Sequence, residues 1–319
     1  MRNAFADEIT KLGTADHRIV LLTGDIGNKL FDKFKDRAES RFFNCGVAEA
    51  NMMGVAAGMA LCGLRPVVYT ITPFTTTRCF EQIRVDVCYH KAPVIIVGTG
   101  SGLSYADLGP THHSCEDMAI LRTLPEMTVV APGDSIELRL ALRQAFTLDG
   151  PVYMRIGKKG EPAIHQKEPD FRIGRSITIQ AGTDVCLIGT GVMSAVVVKA
   201  AKTLGECGVS ARVESFHTVK PLDQVTLTEI FSKYPVVAVA EEHGRIGGLA
   251  GAISEWLAAQ DGPCAKLLAF GTDDAFMHEV GSQEYARRKF GLTAENIAEQ
   301  VHARLLSVLN KRAVPNVAS

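Results

Sequence analysis

Three groups of residues in the sequence carry functional types at suggestive spacing. The first is Glu49, within Phe42-Phe-Asn-Cys-Gly-Val-Ala-Glu-Ala-Asn-Met-Met-Gly54. It opens a predicted helix, Glu49 to Cys62, built mostly of Gly, Ala and Met and so suited to burial. An acid in a first helical turn ordinarily does no more than favour the helix dipole. Here the run Gly54-Val-Ala-Ala-Gly-Met-Ala60 lets backbones approach closely and draws the carboxyl inside, where it needs a partner. A carboxyl so placed keeps its proton more readily and suits hydrogen bonding to a heterocyclic nitrogen.

The second group is Asp107, His112 and His113, on a loop that follows a glycine-rich turn and contains Gly109-Pro-Thr-His-His113. Imidazoles titrate near neutral pH and can pass protons to a carbonyl or hydroxyl. The third is a pair of arginines, Arg78 and Arg155, each after a strand or loop end, whose planar forks match phosphate oxygens. Two glycine runs, Gly98-Thr-Gly-Ser-Gly102 and Gly189-Thr-Gly191, follow strands but do not complete a dinucleotide fingerprint, so ordinary turns are expected. The eight cysteines stand singly with no CxxC pair, and reduced, packed thiols are expected.

The elements that must position these groups alternate. A helix from Ala4 to Leu12 precedes the apolar run Arg18 to Leu22. Later runs, Pro66 to Ile71 and Ala92 to Val97, are short and β-branched, as a buried parallel sheet requires, and Thr128 to Ala131 is the next strand expected. Helices are expected from Phe80 to His90 and from Ile136 to Phe146, the latter capped by Pro132-Gly-Asp-Ser135. A polar stretch, Gly157 to Asp170, has no hydrophobic period. Alternation then restarts with strands at Asp184 to Ile188, Ser210 to Glu214 and Val236 to Ala240. Helices are expected at Ser194 to Cys207, Gly248 to Gln260 and after Thr293. The fold class is therefore α/β with two doubly wound domains, residues 1–158 and 173–319, joined by a linker at 159–172.

A chain of 319 residues is long enough for two cores. With 46% apolar residues, 22% charged and a formal net charge of -1, it has no basic footprint for nucleic acid. No apolar run approaches a membrane span, and the charged start lacks a signal-like core, so a cytoplasmic protein is expected.

Gly46-Val-Ala-Glu-Ala-Asn51 resembles the glutamate motif of the pyrimidine-binding domain in transketolases, 1-deoxyxylulose-5-phosphate synthases and the beta subunits of 2-oxoacid dehydrogenases. The resemblance continues through Tyr69 to Phe74, Arg78 to Ile83, Gly109 to His113, Leu124-Pro and Ala131 to Asp134. In the second half it takes in His217 to Asp223 and Glu241 to Gly248, and it covers nearly the whole chain. It implies that Glu49 hydrogen-bonds the aminopyrimidine ring of thiamine diphosphate and helps generate its nucleophilic carbon. Phe74 is then the aromatic platform under that ring, with Phe80 the alternative. His112 and Asp107 contact the donor ketose, with one extra residue, Leu108, before the Gly-Pro. Arg78 and Arg155 hold its phosphate, and His113 lies beside them.

The family also needs a Gly-Asp-Gly motif and a metal-ligating Asn to hold the diphosphate through Mg2+. Gly24-Asp-Ile-Gly27 is not that motif, so no metal ligand is expected here. The diphosphate and magnesium sites are expected on a partner chain, the N-terminal transketolase subunit, in an assembly of two of each chain. The expected enzyme is a split transketolase that moves a two-carbon ketol unit from a sugar phosphate to an aldehyde. Alternatives are a deoxyxylulose-phosphate synthase-like or 2-oxoacid dehydrogenase beta-type subunit and, more remotely, a non-catalytic assembly or regulatory subunit.

Overall fold

A computed structural model describes residues 1–27, 29–262 and 264–313. The described residues form twelve strands: β1 Ile19–Thr23, β2 Phe42–Asn44, β3 Arg65–Ile71, β4 Ile95–Thr99, β5 Thr128–Val130, β6 Val152–Ile156, β7 Ile177–Gln180, β8 Val185–Gly189, β9 Ala211–Ser215, β10 Thr218–Lys220, β11 Val236–Gly244 and β12 Lys266–Thr272. They form two sheets. One has the order β10-β5-β6-β4-β3-β1-β2 and the other β12-β11-β8-β9-β7. Pairing is parallel throughout except at β10 and β7, which run antiparallel at one edge of each sheet.

Helices cover both faces of the first sheet, which is why β1, β4 and β6 are buried at every position. The helices Arg2–Ala15 and Ser135–Ala145 pack Phe5, Ile9, Leu138 and Leu142 on one face. On the other, Met52, Met53 and Ala56 of the helix Glu49–Leu61 join a core that runs on into Ile188, Val237 and Val239 of the second sheet. Asp134 caps the Ser135–Ala145 helix as expected, accepting the amides of Ile136 and Glu137 at 2.9 Å. The polar stretch after β6 holds no regular element until β7. It is nevertheless anchored, with the Ile164 amide donating to Asp134 and His165 Nε2 lying 2.8 Å from Glu137 Oε1.

Several elements lie outside the expectation, among them β2, β7, β12 and the helix Gln224–Lys233. The helix foreseen from Phe80 to His90 is a single α-turn, Phe80–Gln82, followed by a wider π-helical stretch, Ile83–Tyr89. Thr218–Lys220, where no strand was expected, lies beside β5 as β10, with Thr218 opposite Val130. The second half thus lends an edge strand to the first sheet. All eight cysteines are free. Among the described residues no helix is long and apolar enough to cross a membrane.

Candidate active site

In a parallel sheet every strand delivers the following loop to the same edge, and that is where side chains from distant parts of the sequence meet. Glu49 follows β2, Phe74 and Arg78 follow β3, the loop from Gly100 to Ser114 follows β4, and Lys158 follows β6. The turn after β3 is stiffened by its threonines. Thr75 and Thr76 both return hydroxyls to the Thr72 carbonyl, at 3.1 and 2.7 Å, while Thr72 Oγ1 donates to Thr99 O at 3.1 Å. The loop after β4 turns back on Gly100 and Gly102, both with positive φ, and is pinched closed where the Gly102 and Ser114 backbones exchange hydrogen bonds of 3.1 and 3.0 Å. A Cβ on Gly100 would lie 1.9 Å from the Tyr105 ring, so only glycine fits there.

Glu49 is 4% exposed, and its Oε2 accepts Arg78 Nη1 at 2.9 Å. The Arg78 guanidinium carbon lies 4.0 Å from the centre of the Phe74 ring. His112 meets that ring edgewise, with centroids 5.3 Å apart, and meets Tyr105 at 6.0 Å. Thr111 Oγ1 holds His112 Nδ1 at 2.9 Å. Beyond Tyr105, Lys158 places its ammonium 4.1 Å from the ring centre and 3.9 Å from Asp107 Oδ1. The structure therefore brings Glu49, Phe74, Arg78 and His112 into one cluster, with Asp107 at its exposed margin. Tyr105 and Lys158 join them without having been singled out. The strand-end rule that raised Arg155 applies equally to Lys158, which lies just beyond β6.

Three expected residues stand elsewhere. Phe80 packs against the core that holds Met52 and Val87, and Phe74 is the phenylalanine beside Glu49's partner. His113 points away from His112. It lines a cavity of about 600 Å³ behind the loop, together with Leu103, Pro110, Arg245, Phe276 and Met277, and burial holds its imidazole below the ordinary value. Arg155 lies in the interior, in β6. Only 3% exposed, it gives Nε to Asp117 at 2.7 Å and Nη2 to the carbonyls of Ser114 and Glu242 at 3.0 and 2.8 Å. The Nε and Nη2 nitrogens of Arg155 are thus tied to interior partners. Burial works against the Asp117 carboxylate, but Arg155 and His243 overcome it and hold its carboxyl below the usual range.

A buried carboxylate beside a half-exposed aromatic face, bridged by a planar cation, is what a flat heterocycle with an N–H donor would need. The residues present therefore fit the aminopyrimidine end of thiamine diphosphate. This arrangement, on a doubly wound sheet followed by a second smaller one, defines a thiamine diphosphate pyrimidine-binding class. The chain belongs to the transketolase family: residues 1–161 match its pyrimidine-binding domain and residues 174–297 its C-terminal domain. It is 36% identical over 303 residues to a 6-deoxy-6-sulfo-D-fructose transketolase subunit of Clostridium sp. strain MSTE9, covering 95% of this chain and 93% of that one. It is also 35% identical to the 1-deoxy-D-xylulose-5-phosphate synthase of Methylacidiphilum infernorum, over 93% of this chain but 47% of that longer one. Among solved structures, a split-gene transketolase described as an inactive beta4 tetramer superposes with a TM-score of 0.87. It shares 35% identity and covers 96% of this chain and 98% of its own.

Proposed function

We propose that this chain is the pyrimidine-binding subunit of a two-chain transketolase, moving a two-carbon ketol unit from an anionic ketose to an aldehyde. The observation that carries the reading is the Glu49, Arg78 and Phe74 cluster, faced by His112. When bound, thiamine diphosphate supplies the nucleophilic carbon that opens the bond beside the donor carbonyl. Glu49 would share a proton with the ring nitrogen, and Phe74 would offer its face to the ring. With Nδ1 held by Thr111, His112 has Nε2 left to exchange a proton with a donor hydroxyl. Asp107 would accept from a sugar hydroxyl, and Arg78 and Lys158 are the cations available to the anionic end.

Residues 1–158 serve as the pyrimidine domain in this reading, 159–172 as the linker and 173–319 as the second domain. The diphosphate and Mg2+ would be held by a partner subunit, since two relatives covered almost end to end are named as a subunit and as a split-gene product. Pairing with a second copy is supported by the outer side of the Glu49–Leu61 helix, where Val55 and Leu61 stay exposed next to Val47 at 77%. The resemblance to 1-deoxyxylulose-5-phosphate synthases supports a second reading, in which the donor loses carbon dioxide; parallel assays with pyruvate and with ketose phosphates separate the two.

The test is titration of thiamine diphosphate and Mg2+ into the chain alone and into the chain with its co-purifying partner, followed by ketol-transfer assays. Binding and turnover should require both chains. Full turnover by the rigorously purified single chain would sink the split-enzyme reading.

A further inference from the structure

The loop that carries Asp107, His112 and His113 is held from behind by the second half of the chain. Glu242, in β11, is fully buried. Its Oε1 accepts the Leu103 amide at 2.8 Å, and its main-chain carbonyl accepts Arg155 Nη2 at 2.8 Å. Gln283 Nε2 grips both carboxylate oxygens at 2.8 and 3.1 Å, and Arg287 Nε donates to Oε2 at 2.5 Å. The contacts continue along the loop. Gln283 Nε2 reaches Ser104 Oγ at 3.3 Å, the Gly281 amide donates to Ala106 O at 3.3 Å, and Arg155 Nη2 donates to Ser114 O at 3.0 Å.

A buried carboxylate is costly unless every oxygen is satisfied, and charge-assisted donors on both oxygens leave this one a single orientation. The close approach is possible because position 102 is glycine. A Cβ there would sit 2.6 Å from the Glu242 carbonyl oxygen and 2.7 Å from its Oε1. Between the loop and the Phe276–Met277 wall lies the cavity of about 600 Å³, so the loop is not supported by packing along its whole length. Space behind a functional loop makes a tether matter, because a released loop has somewhere to go.

We propose that Glu242 is a positioning residue: through the Leu103 amide it sets the aim of the Gly100 to Ser114 loop and hence of His112. The inference rests on the reading of His112 as substrate-facing. Its physical content is that the second domain fixes geometry in the first domain's active site without touching substrate or cofactor.

The experiment uses the full chain with its partner subunit and the variants Glu242→Ala, Glu242→Gln and Gly102→Ala. Amide exchange across 101–114 is read alongside thiamine diphosphate affinity, kcat and donor KM. In Glu242→Ala the amides of 103–108 should exchange roughly tenfold to a hundredfold faster, the scale of one or two lost hydrogen bonds, while β3 and β4 keep their protection. kcat/KM should fall about tenfold or more, with cofactor affinity unchanged. Glu242→Gln, whose amide oxygen still accepts from Leu103, should restore most of both. Gly102→Ala displaces the loop from the other side with the carboxylate intact and should reproduce the Ala phenotype, which covers the case in which Glu242→Ala fails to fold. Wild-type loop exchange in both the Ala variants, or Gln behaving no better than Ala, would overturn the proposal. A loosened loop with unchanged turnover would overturn it too, yet would leave the cofactor reading standing because cofactor binding is measured separately. If the wild-type complex binds no thiamine diphosphate, it is that underlying reading which fails.

Discussion

Arg78 lies with Nη1 2.9 Å from Glu49 Oε2 and its guanidinium carbon 4.0 Å from the Phe74 ring centre, so one planar cation makes both contacts that a flat heterocycle would make. At 43% exposure Arg78 can swing into solvent, whereas Glu49 at 4% cannot. The carboxylate is therefore the fixed member of the pair and the arginine the exchangeable one.

Replacing that carboxylate is the most direct challenge to the site. Glu49→Gln keeps a hydrogen-bonding side chain of the same length but removes the carboxyl that can give and take a proton. The protein should fold and assemble normally, shown by circular dichroism and sedimentation. Turnover should drop by roughly a hundredfold to ten-thousandfold, the range of lost acid–base assistance, with cofactor affinity changing less. A variant with wild-type turnover would reduce Glu49 to a helix-end acid.

Removing the exchangeable partner should have the opposite division of effects. Arg78→Ala takes away a competitor for Glu49 and Phe74, so thiamine diphosphate affinity, measured by titration calorimetry, should be unchanged or tighter. If Arg78 then turns to the donor's anionic group, its loss raises donor KM about tenfold to a hundredfold, as expected for one charge-assisted contact. An uncharged donor analogue should be insensitive. Equal losses for both donors would confine Arg78 to holding Glu49.

Much of this arrangement is legible in the sequence. Glu49 stood out because an acid on a helix of Gly, Ala and Met conflicts with its surroundings, and the histidines because a strand end delivers them to the edge where parallel sheets place loops. The interior partners of Arg155 were not legible, for a simple reason. Strand-end position says where a side chain starts but not which buried charge it meets, and Asp117 lies on a separate short helix, Asp117–Arg122. Glu242 belongs to a run already noticed, Glu241 to Gly248, yet its target is the backbone amide of Leu103 in the other half of the chain. A main-chain acceptor leaves no trace in side-chain patterning. β10 is hidden for a related reason, since the three residues Thr218–Lys220 before Pro221 carry too little alternation to announce a strand.

The Arg155 and Asp117 pair predicts a stability effect with a defined pH sign. Asp117 holds a carboxyl below its ordinary value in the folded protein, so it binds its proton more readily when unfolded. Its contribution is present above the ordinary carboxylate value of 3.8 and is lost as pH falls through the lower folded value. Asp117→Asn should flatten that acid limb in urea titrations. It should also cost about 3–5 kcal/mol at neutral pH, because Arg155 is left buried without its counter-ion. Arg155→Met should destabilise similarly while changing KM equally for charged and uncharged donors. A selective loss of affinity for the anionic donor would return Arg155 to the phosphate site.

Adjacent histidines provide the last contrast. His112 packs edgewise on Phe74 with Nδ1 held by Thr111, whereas His113 faces the cavity behind the loop, its Nε2 buried without a partner among the described residues. One position in sequence thus separates a side chain against Phe74 from one that lines the cavity. His112→Ala should lower kcat/KM by roughly a hundredfold or more, the usual scale for a lost proton shuttle, and leave the melting temperature nearly unchanged. His113→Ala should leave kcat within a few-fold, since it removes a group that faces the cavity and lies outside the Glu49 cluster. Its melting temperature should hold or rise, because an unpaired buried polar atom is removed. Steady-state kinetics and thermal melts of the two variants in parallel decide the matter. If His113→Ala proves the more damaging to turnover, the loop presents its other face to the substrate and the assignment of His112 is wrong.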